Sequence, residues 1–247
     1  MSGPARRVQL EPAFLLHHYP FRDSTRLLEL LTREHGRVAV FARTSRRGNG
    51  PSPATLQPFG ELLASWTARG ETGQLTGAER RSGGGLPAER LLAGFYVNEL
   101  LVRLLPRNDP HPLLFDAYRR LLDSLARAEV ETHRPLRLFE KRLLEELGYG
   151  LYLEADRGGA PLAAEACYRY RLEAGAERLD GVAEGTLIFS GASLRSLAQD
   201  ELADARSLAD ARRLLRAALD VVLEGRELRT REVAGAMAAR RGARQGG

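Results

Sequence analysis

The sequence predicts an α+β protein with a small N-terminal β-barrel followed by a mainly α-helical domain. Apolar residues alternate with period two over roughly the first 80 residues, the glycine-rich stretch SGGG follows at 82–85, and the apolar period then becomes that of a helix. We therefore divide the 247 residues into a barrel domain, 1–82, and a helical domain, 83–247. A chain of this length has room for one or two domains with a buried core.

Five short strands are predicted in the first domain, separated by turn-like segments. Five strands in about 80 residues match a small closed barrel, and the OB-fold is the barrel best known for binding single strands of nucleic acid. An SH3-like barrel fits the pattern almost as well. The alternating apolar positions are Val8, Leu10, Phe14 and Leu16, then Leu28 and Leu30, Val38 and Val40, Leu62, Ala64 and Trp66, with a shorter strand around Leu75.

Three helices are predicted next, which is enough for a bundle core. The first begins near Pro87 and ends at Pro106, and the second begins with Asp109 as its N-cap. The third runs from about Pro135 until Gly148, a C′ glycine, ends it.

The rest of the chain has a weaker pattern. Residues 150–190 are broken by glycines and predict weak hairpins, and helices resume near Ser190 and at Ser207, where Ser207 and Asp210 resemble a capping box. A short helix is predicted from Thr230 through Met237, and the basic tail at about 240–247 is predicted to be disordered.

Composition indicates a basic protein without a membrane span or an internal disulfide. Lys plus Arg is 37 against 32 for Asp plus Glu, and the excess lies at the two ends of the chain. The single cysteine, Cys167, excludes an internal disulfide and a cysteine-cluster metal site. The N-terminus lacks the apolar region of a secretory signal, and no apolar run approaches the ~20 residues of a membrane span. We expect a cytoplasmic protein.

The segment after the third predicted strand is the strongest indication of nucleic-acid binding. Glycine, proline and serine keep it from forming a helix or strand, so Arg43, Arg46 and Arg47 are expected on a loop that contacts phosphates. Neighbouring loops and strand ends add Arg22, Arg26, Arg37 and Arg69, and Tyr19 and Phe21 are expected as exposed stacking faces. The alternative is an ordinary solvated surface.

Enzymatic activity is not predicted. The five histidines show no metal-ligand spacing, no phosphate-binding loop of the G-x-x-x-x-G-K-[ST] kind occurs, and no cofactor is expected. A metal-dependent nuclease, with Asp23, Glu29 and Glu34 as metal ligands, is a distant third hypothesis. Surface charges at strand ends explain these residues adequately.

Five sequence blocks follow one another in the order HHYPFRDSTRLLELLTREHGRV, LQPF, GFYVNELLVRLL, DPHPLLFDAY and LRLFEKRLLEELGYG. Taken in this order they resemble the bacterial recombination mediator family RecO, and the resemblance runs through nearly the whole chain. The resemblance implies an OB-fold followed by a helical domain, binding of single- and double-stranded DNA, annealing of complementary strands, and no catalytic activity. It also implies contact with the C-terminal tail of single-stranded DNA-binding protein and loading of RecA together with RecR, so we expect a nucleoid-associated protein when it is bound to DNA.

The chain departs from this family after LGYG, where zinc-containing members have paired cysteines. Only Cys167 occurs here, and no histidine follows His133, so a tetrahedral zinc site cannot be completed. We expect an insertion without zinc that packing alone stabilises.

Two residue groups in the helical domain are candidates for contacts. Arg137, Lys141 and Arg142 on the third helix would suit an acidic peptide, and the resemblance suggests the tail of single-stranded DNA-binding protein; a solvated outer face explains them equally. For Asn98, with Gly94 one turn before it, an architectural hydrogen bond is the favoured interpretation.

Two hypotheses remain from the sequence. The first is a DNA-binding, strand-annealing recombination mediator. The second is a protein adaptor whose helical domain carries the function, with the barrel structural or docked to RecR and DNA affinity incidental.

Overall fold

A computed structural model describes residues 6–22, 24–43, 55–82, 85–127, 129, 131–180 and 185–245. The chain forms two compact units, Met1–Ala128 with Glu227–Gly247, and Glu129–Arg226. This grouping differs from the division at residue 82 that the sequence predicts, because the first two helices and the C-terminal segment belong to the unit that contains the barrel. Among the described residues no helix is long and apolar enough to span a membrane.

The N-terminal barrel has five strands, as predicted: β1 (Arg6–Arg22), β2 (Thr25–Thr32), β3 (Gly36–Arg43), β4 (Glu61–Ala68) and β5 (Thr72–Ser82). They close in the order β1-β2-β3-β5-β4, with β3 and β5 parallel and the other neighbours antiparallel. This confirms the OB-fold. β1 is longer than expected, because the predicted turn around Tyr19 and Phe21 stays paired with β2 up to Arg22.

Alternating residues of all five strands fill the barrel interior. Trp66 is buried there beside Gly73, where an added Cβ would approach the indole ring to 2.9 Å. Small residues at such points let the closed sheet pack around one large ring. The buried interior residues are Val8, Ala13, Leu15, Leu28, Leu30, Val38, Val40, Ala42, Leu56, Leu62, Ala64, Trp66 and Leu75.

Three helices complete the first unit: α1 (Leu91–Leu104), preceded by a 3₁₀ turn at Ala88–Arg90, α2 (Pro112–Ala126) and α6 (Arg229–Gln245). α2 begins three residues after the predicted N-cap, because the chain before it is tied to β3. The Asn108 amide donates to the Arg37 carbonyl at 2.9 Å, and a Cβ on Gly36 would lie 1.9 Å from the Asp109 oxygen. His111 is therefore the N-cap.

Asn98 on α1 has the architectural role that the sequence predicts. Its Nδ2 donates to the Leu16 carbonyl of β1 at 2.9 Å, and its Oδ1 accepts from the Tyr118 hydroxyl of α2 at 2.5 Å. Both bonds are buried, so one side chain satisfies groups on a strand and a helix at once. Gly94 lies one turn earlier, where a Cβ would approach the Phe59 ring to 2.7 Å.

The second unit contains α3 (His133–Glu146), a three-stranded sheet of β6 (Cys167–Arg171), β7 (Gly175–Leu179) and β8 (Ile188–Ser190), then α4 (Gly191–Ala198) and α5 (Ala205–Leu223). α3 ends as predicted before Gly148, whose φ is +81°. The capping box at Ser207 was wrong: Asp204 is the N-cap of α5, and its Oδ1 accepts from the amides of Arg206 and Ser207, both at 2.9 Å. Ser207 is a buried residue of the first turn.

Two tyrosines form the core of the insertion. Tyr168 and Tyr170 on β6 are buried, and the Tyr168 hydroxyl accepts from the Ala163 amide at 2.9 Å. Burial raises the pKa of Tyr170 to about 12, while its hydroxyl donates to the Tyr152 carbonyl. Over the part of the chain that the structure describes, no group of three or more His, Cys, Asp or Glu residues could hold a metal ion. The absence of zinc remains a prediction.

The C-terminal helix is longer than expected. The sequence predicted a helix through Met237 and a disordered tail from about residue 240, whereas α6 continues to Gln245. The segment is rich in alanine and arginine, which are strong helix formers, and this propensity outweighs the two glycines at 235 and 242.

Candidate nucleic-acid interface

The candidate interface is the outer face of β1, β2 and β3 at the end where β1 turns into β2. Residues directly opposite in neighbouring strands share a face. Tyr19 on β1 and Phe41 on β3 both lie opposite Leu27 of β2. Leu28 and Val40, one position away, belong to the buried interior. Tyr19, Leu27 and Phe41 therefore form one row on the outside of the barrel.

Aromatic side chains cover this face. Tyr19 and Phe21 are 41% and 52% exposed, as the sequence predicted for stacking residues. The Phe21 ring packs against Phe41 with 4.6 Å between centroids, and the Arg22 guanidinium lies over Phe21 at 5.3 Å. Gln74 of β5 donates from Nε2 to the Phe41 carbonyl at 3.0 Å, which fixes the β3 backbone beneath the ring. The result is an exposed aromatic surface with a cation on it.

Two cations, Arg22 and a second one, Arg43, flank the same row. Arg22 and Arg43 both lie opposite Thr25, one on each side of β2, so the register brings together residues 21 positions apart in the chain. Both are exposed, and within the described residues neither makes an ion pair. Uncompensated guanidinium groups beside aromatic rings are typical of surfaces that bind single strands.

Arg26 takes a different position from the one the sequence suggests. It lies opposite Ala42, a residue of the barrel interior, and therefore points to the inner side of β2 at the open end of the barrel. It is half-buried. Arg46 and Arg47, the other members of the predicted phosphate loop, lie outside the described residues.

Arg37 is not available to bind a ligand on this face, because its guanidinium group is already engaged inside the protein. Its NH1 pairs with the buried Glu29 carboxylate at 2.6 Å, its Nε donates to the Leu105 carbonyl at 2.9 Å, and Arg107 pairs with the same carboxylate. The side chain is only 13% exposed. Arg37 therefore joins the barrel to the segment between α1 and α2, and we leave it out of the proposed DNA surface.

Arg69 lies at the other end of β3. It belongs to the turn between β4 and β5, just before Thr72, which pairs with Ala39 in a parallel ladder. Arg43, four residues beyond Ala39, lies at the opposite end of that strand. Arg69 is exposed but does not join the group around Phe21.

His17 contributes an uncharged ring beside the aromatic surface. It packs edge-on against Tyr19 with 4.5 Å between centroids. Partial burial lowers its pKa, and the neighbouring His18 lowers it further. At neutral pH His17 therefore adds a polar aromatic contact and no positive charge.

The predicted peptide-binding cations on α3 are engaged inside the second unit. Arg137 is 8% exposed and pairs with Glu140 at 2.8 Å, one turn away on the same helix. Lys141 donates from Nζ to the carbonyls of Leu197 and Ala198, both at 3.0 Å, and to Asp200 Oδ1 at 2.7 Å. These bonds satisfy the C-terminal end of α4.

Arg142 pairs with two acids of its own helix, Glu145 at 3.1 Å and Glu146 at 2.6 Å. None of the three α3 cations thus forms the open cationic rim that the sequence suggested. The charged face of this helix stabilises its own unit.

Comparison with known proteins gives one consistent family over most of the chain. The model described as Recombination protein O N terminal matches residues 8–82, and the one described as Recombination protein O C terminal matches residues 88–232. Residues 83–87 lie between the two matched ranges.

Curated relatives agree with the family models. A DNA repair protein RecO of Alkalilimnicola ehrlichii is 46% identical over 94% of this chain and 92% of its own length. Proteins of the same name from Nitrosococcus oceani and Methylococcus capsulatus are 43% and 41% identical, over 91% and 94% of this chain and 92% and 95% of their own.

Proposed function

The chain belongs to the RecO family of DNA repair and recombination proteins, and from that premise we propose that it is a non-catalytic DNA-binding mediator. It binds single- and double-stranded DNA, promotes annealing of complementary strands, and helps load RecA onto DNA that is coated by single-stranded DNA-binding protein. The outer face of β1, β2 and β3 is the proposed site for a single strand.

The observation that carries this proposal is the Phe21–Phe41 pair with Arg22 and Arg43 beside it. Each base stacked on an exposed ring contributes on the order of 1–3 kcal/mol, and guanidinium groups at the rim neutralise phosphates. Neither kind of contact distinguishes one base from another. The surface is therefore suited to binding any sequence.

This mode of binding also suits annealing. A strand that is held by its phosphates and by the faces of its bases keeps its Watson–Crick edges free for a complementary strand. Because the chemistry is only association of strands, the protein needs no nucleophile, metal or cofactor.

The partners RecR and the tail of single-stranded DNA-binding protein are part of the proposal on family membership alone. The tail site on α3 stays a prediction, and Arg137, Lys141 and Arg142 would have to exchange their present contacts inside their unit for contacts with the tail. Cytoplasmic location, with association to the nucleoid through DNA, follows from the same proposed activity.

The test is a titration of a labelled oligothymidylate at several salt concentrations. We expect the double variant Arg22→Gln/Arg43→Gln to bind more weakly, and the slope of log affinity against log salt to become shallower by about 0.7 per lost phosphate contact, about 1.4 in all. Arg195→Gln/Arg212→Gln removes the same charge from exposed positions of α4 and α5 and serves as the control.

An unchanged salt slope in the barrel variant, or an equal change in the control, would show that this face is ordinary solvated surface. Absence of DNA binding by the parent protein would refute the proposed function as a whole and favour the adaptor hypothesis.

A further inference from the structure

The first turn of the C-terminal helix α6 is held by contacts with α1. The Glu99 carboxylate of α1 accepts from the Arg229 and Thr230 amides at 2.9 and 3.0 Å and from the Thr230 hydroxyl at 2.8 Å. Leu228, just before the helix, is buried, and the Arg231 guanidinium lies over the Tyr96 ring at 5.9 Å. One turn is thus anchored to α1.

Between Glu232 and Arg240, where the structure describes the side chains, no residue of the helix is buried. Every residue from Glu232 to Arg240 is exposed, including Val233 at 49% and Met237 at 46%, and a Cβ on Gly235 would meet only open space. Isolated helices of this length are marginal in water, because most helix stability in proteins comes from packing of one face. A helix presented in this way gains stability when a partner covers it.

The sequence of this projecting part indicates the chemistry of that partner. After Glu232 it contains three arginines, Arg240, Arg241 and Arg244, and no acidic residue. The side chains between Val233 and Arg240 are alanine and glycine except for Met237, and none is aromatic. Protein interfaces rely on a cluster of aromatic and large apolar anchors. Beyond its first turn α6 has no aromatic residue and only Val233 and Met237 as large apolar side chains, whereas its three cations have no acid in their own segment, so a polyanion fits it better than a protein surface.

We propose that α6 is a second DNA-binding element, which takes the phosphate backbone of duplex DNA. An ordinary helix is about 10–12 Å in diameter with its side chains, already close to the ~12 Å width of the major groove. The alanine and glycine surface makes α6 thinner and lets its backbone approach closely. Because alanine and glycine offer no hydrogen bonds to base edges, this contact is independent of sequence.

The inference rests on the proposed DNA binding but concerns a different surface. The barrel face contains aromatic rings and suits a single strand with unstacked bases, whereas α6 has cations without rings and suits a regular double helix. A mediator of strand annealing has both forms of DNA as substrate and product. Two elements with different preferences would hold a junction between them.

The experiment compares labelled duplex and single-stranded DNA with three variants of the full chain. In Arg240→Gln/Arg241→Gln/Arg244→Gln we expect the salt slope for the duplex to become shallower by about 0.9 per lost contact, about 2.7 in all, with little change for the single strand. Gln preserves helix propensity. The control, Arg195→Gln/Arg212→Gln/Arg216→Gln, removes three exposed arginines from α4 and α5 and should leave both affinities near those of the parent.

A further variant, Ala236→Pro, keeps all charges but breaks the helix. Weaker duplex binding by this variant supports presentation by a helix, whereas duplex affinity equal to the parent's overturns it. Duplex binding by the triple variant equal to that of its control overturns the inference while leaving the barrel site intact. If the parent protein binds neither duplex nor single-stranded DNA, the proposed function itself is refuted, and the inference about α6 is refuted with it.

Discussion

The cations of the barrel face and those of α3 look alike in sequence but occupy opposite situations in the structure. Arg22 and Arg43 are exposed beside aromatic rings, and within the described residues neither makes an ion pair. Arg137 and Lys141 are almost buried and bind groups of their own unit at 2.7–3.0 Å. The first pair is available to a ligand, and the second stabilises the fold.

The difference teaches that a basic residue is a good indication of a binding site only where neighbouring groups of the protein do not already bind its side chain. In a helix, the positions i+3 and i+4 already supply acids, as Glu140 does for Arg137 and Glu146 does for Arg142. In the barrel, Arg22 and Arg43 both lie opposite Thr25 of β2, which offers no carboxylate. The comparison predicts that α3 variants change stability and barrel variants change DNA affinity.

The largest expected effect is on Arg137. Arg137→Leu removes the ion pair with the Glu140 carboxylate, which is 1% exposed, so we expect a loss of roughly 3–5 kcal/mol in the free energy of unfolding. Urea denaturation monitored by circular dichroism measures it. The double variant Arg137→Leu/Glu140→Leu should recover most of the loss, because an apolar pair replaces the ion pair. If Arg137→Leu is as stable as the parent, the α3 cations do not stabilise the fold, and they no longer differ from those of the barrel face in this respect.

A smaller loss is expected for Lys141. Lys141→Met keeps the length of the side chain but removes three hydrogen bonds that the charged Nζ donates, at a cost of about 1.5–3 kcal/mol. Arg142→Met is the matched control, since its partly exposed ion pairs lie within one helix and contribute about 0–1 kcal/mol. Equal midpoints of thermal unfolding for the two variants would contradict the assignment of Lys141 to the end of α4.

On the barrel face the effect should appear in binding and not in stability. Phe21→Ala removes an exposed ring, and we expect single-strand affinity to fall by about 1–3 kcal/mol while the unfolding midpoint stays near that of the parent. Anisotropy titration with an oligothymidylate measures the affinity. Tyr152→Ala, which removes a ring that is 66% exposed in the second unit, should bind like the parent. The same loss in both variants would mean that any exposed ring has this effect.

The smallest effect concerns an anion that is engaged in the fold, Glu99. Burial alone would raise its pKa, but hydrogen bonds from Thr230 and Arg229 and the charge of Arg103 outweigh it and hold the pKa below the usual value. A carboxyl whose pKa is lower in the folded state stabilises above its unfolded pKa, about 4.3, and loses this effect as the pH falls through the folded value.

Hydrogen exchange of the first-turn amides of α6 measures this contribution. Glu99→Gln should weaken their protection by about 0.5–2 kcal/mol and abolish its dependence on pH in the acid range. Glu232→Gln, on the exposed first turn of the same helix, is the control. If these amides are protected from exchange as well in Glu99→Gln as in the parent, Glu99 is not the anchor of α6.

Local pattern was sufficient for much of the fold and for part of the site. Period two in the first 80 residues predicted five strands, and the exposure of Tyr19 and Phe21 was correct although the turn around them was wrong. The architectural role of Asn98 could be predicted because a polar residue on an apolar helix face needs a partner. The C′ position of Gly148 was equally local.

Other features depended on contacts between distant parts of the chain. The engagement of Arg37 required Glu29 and Leu105, the cap of α6 required Glu99, 130 residues before Arg229, and the start of α2 was set by Asn108 bonding to β3. No local spacing contains such information. The α6 helix was underestimated because its glycines and arginines suggested disorder, while its alanines favoured a helix.

The sequence by itself determined the barrel, the helices, the family and the basic character of this protein, because periodicity, turn residues and net charge are properties of neighbouring positions. Only the tertiary structure decided which cations are free. A guanidinium group has the same charge everywhere, but whether it meets a carboxylate, a carbonyl or solvent depends on which strands and helices pack beside it, and strand register brought Arg22 and Arg43 together beside Phe21.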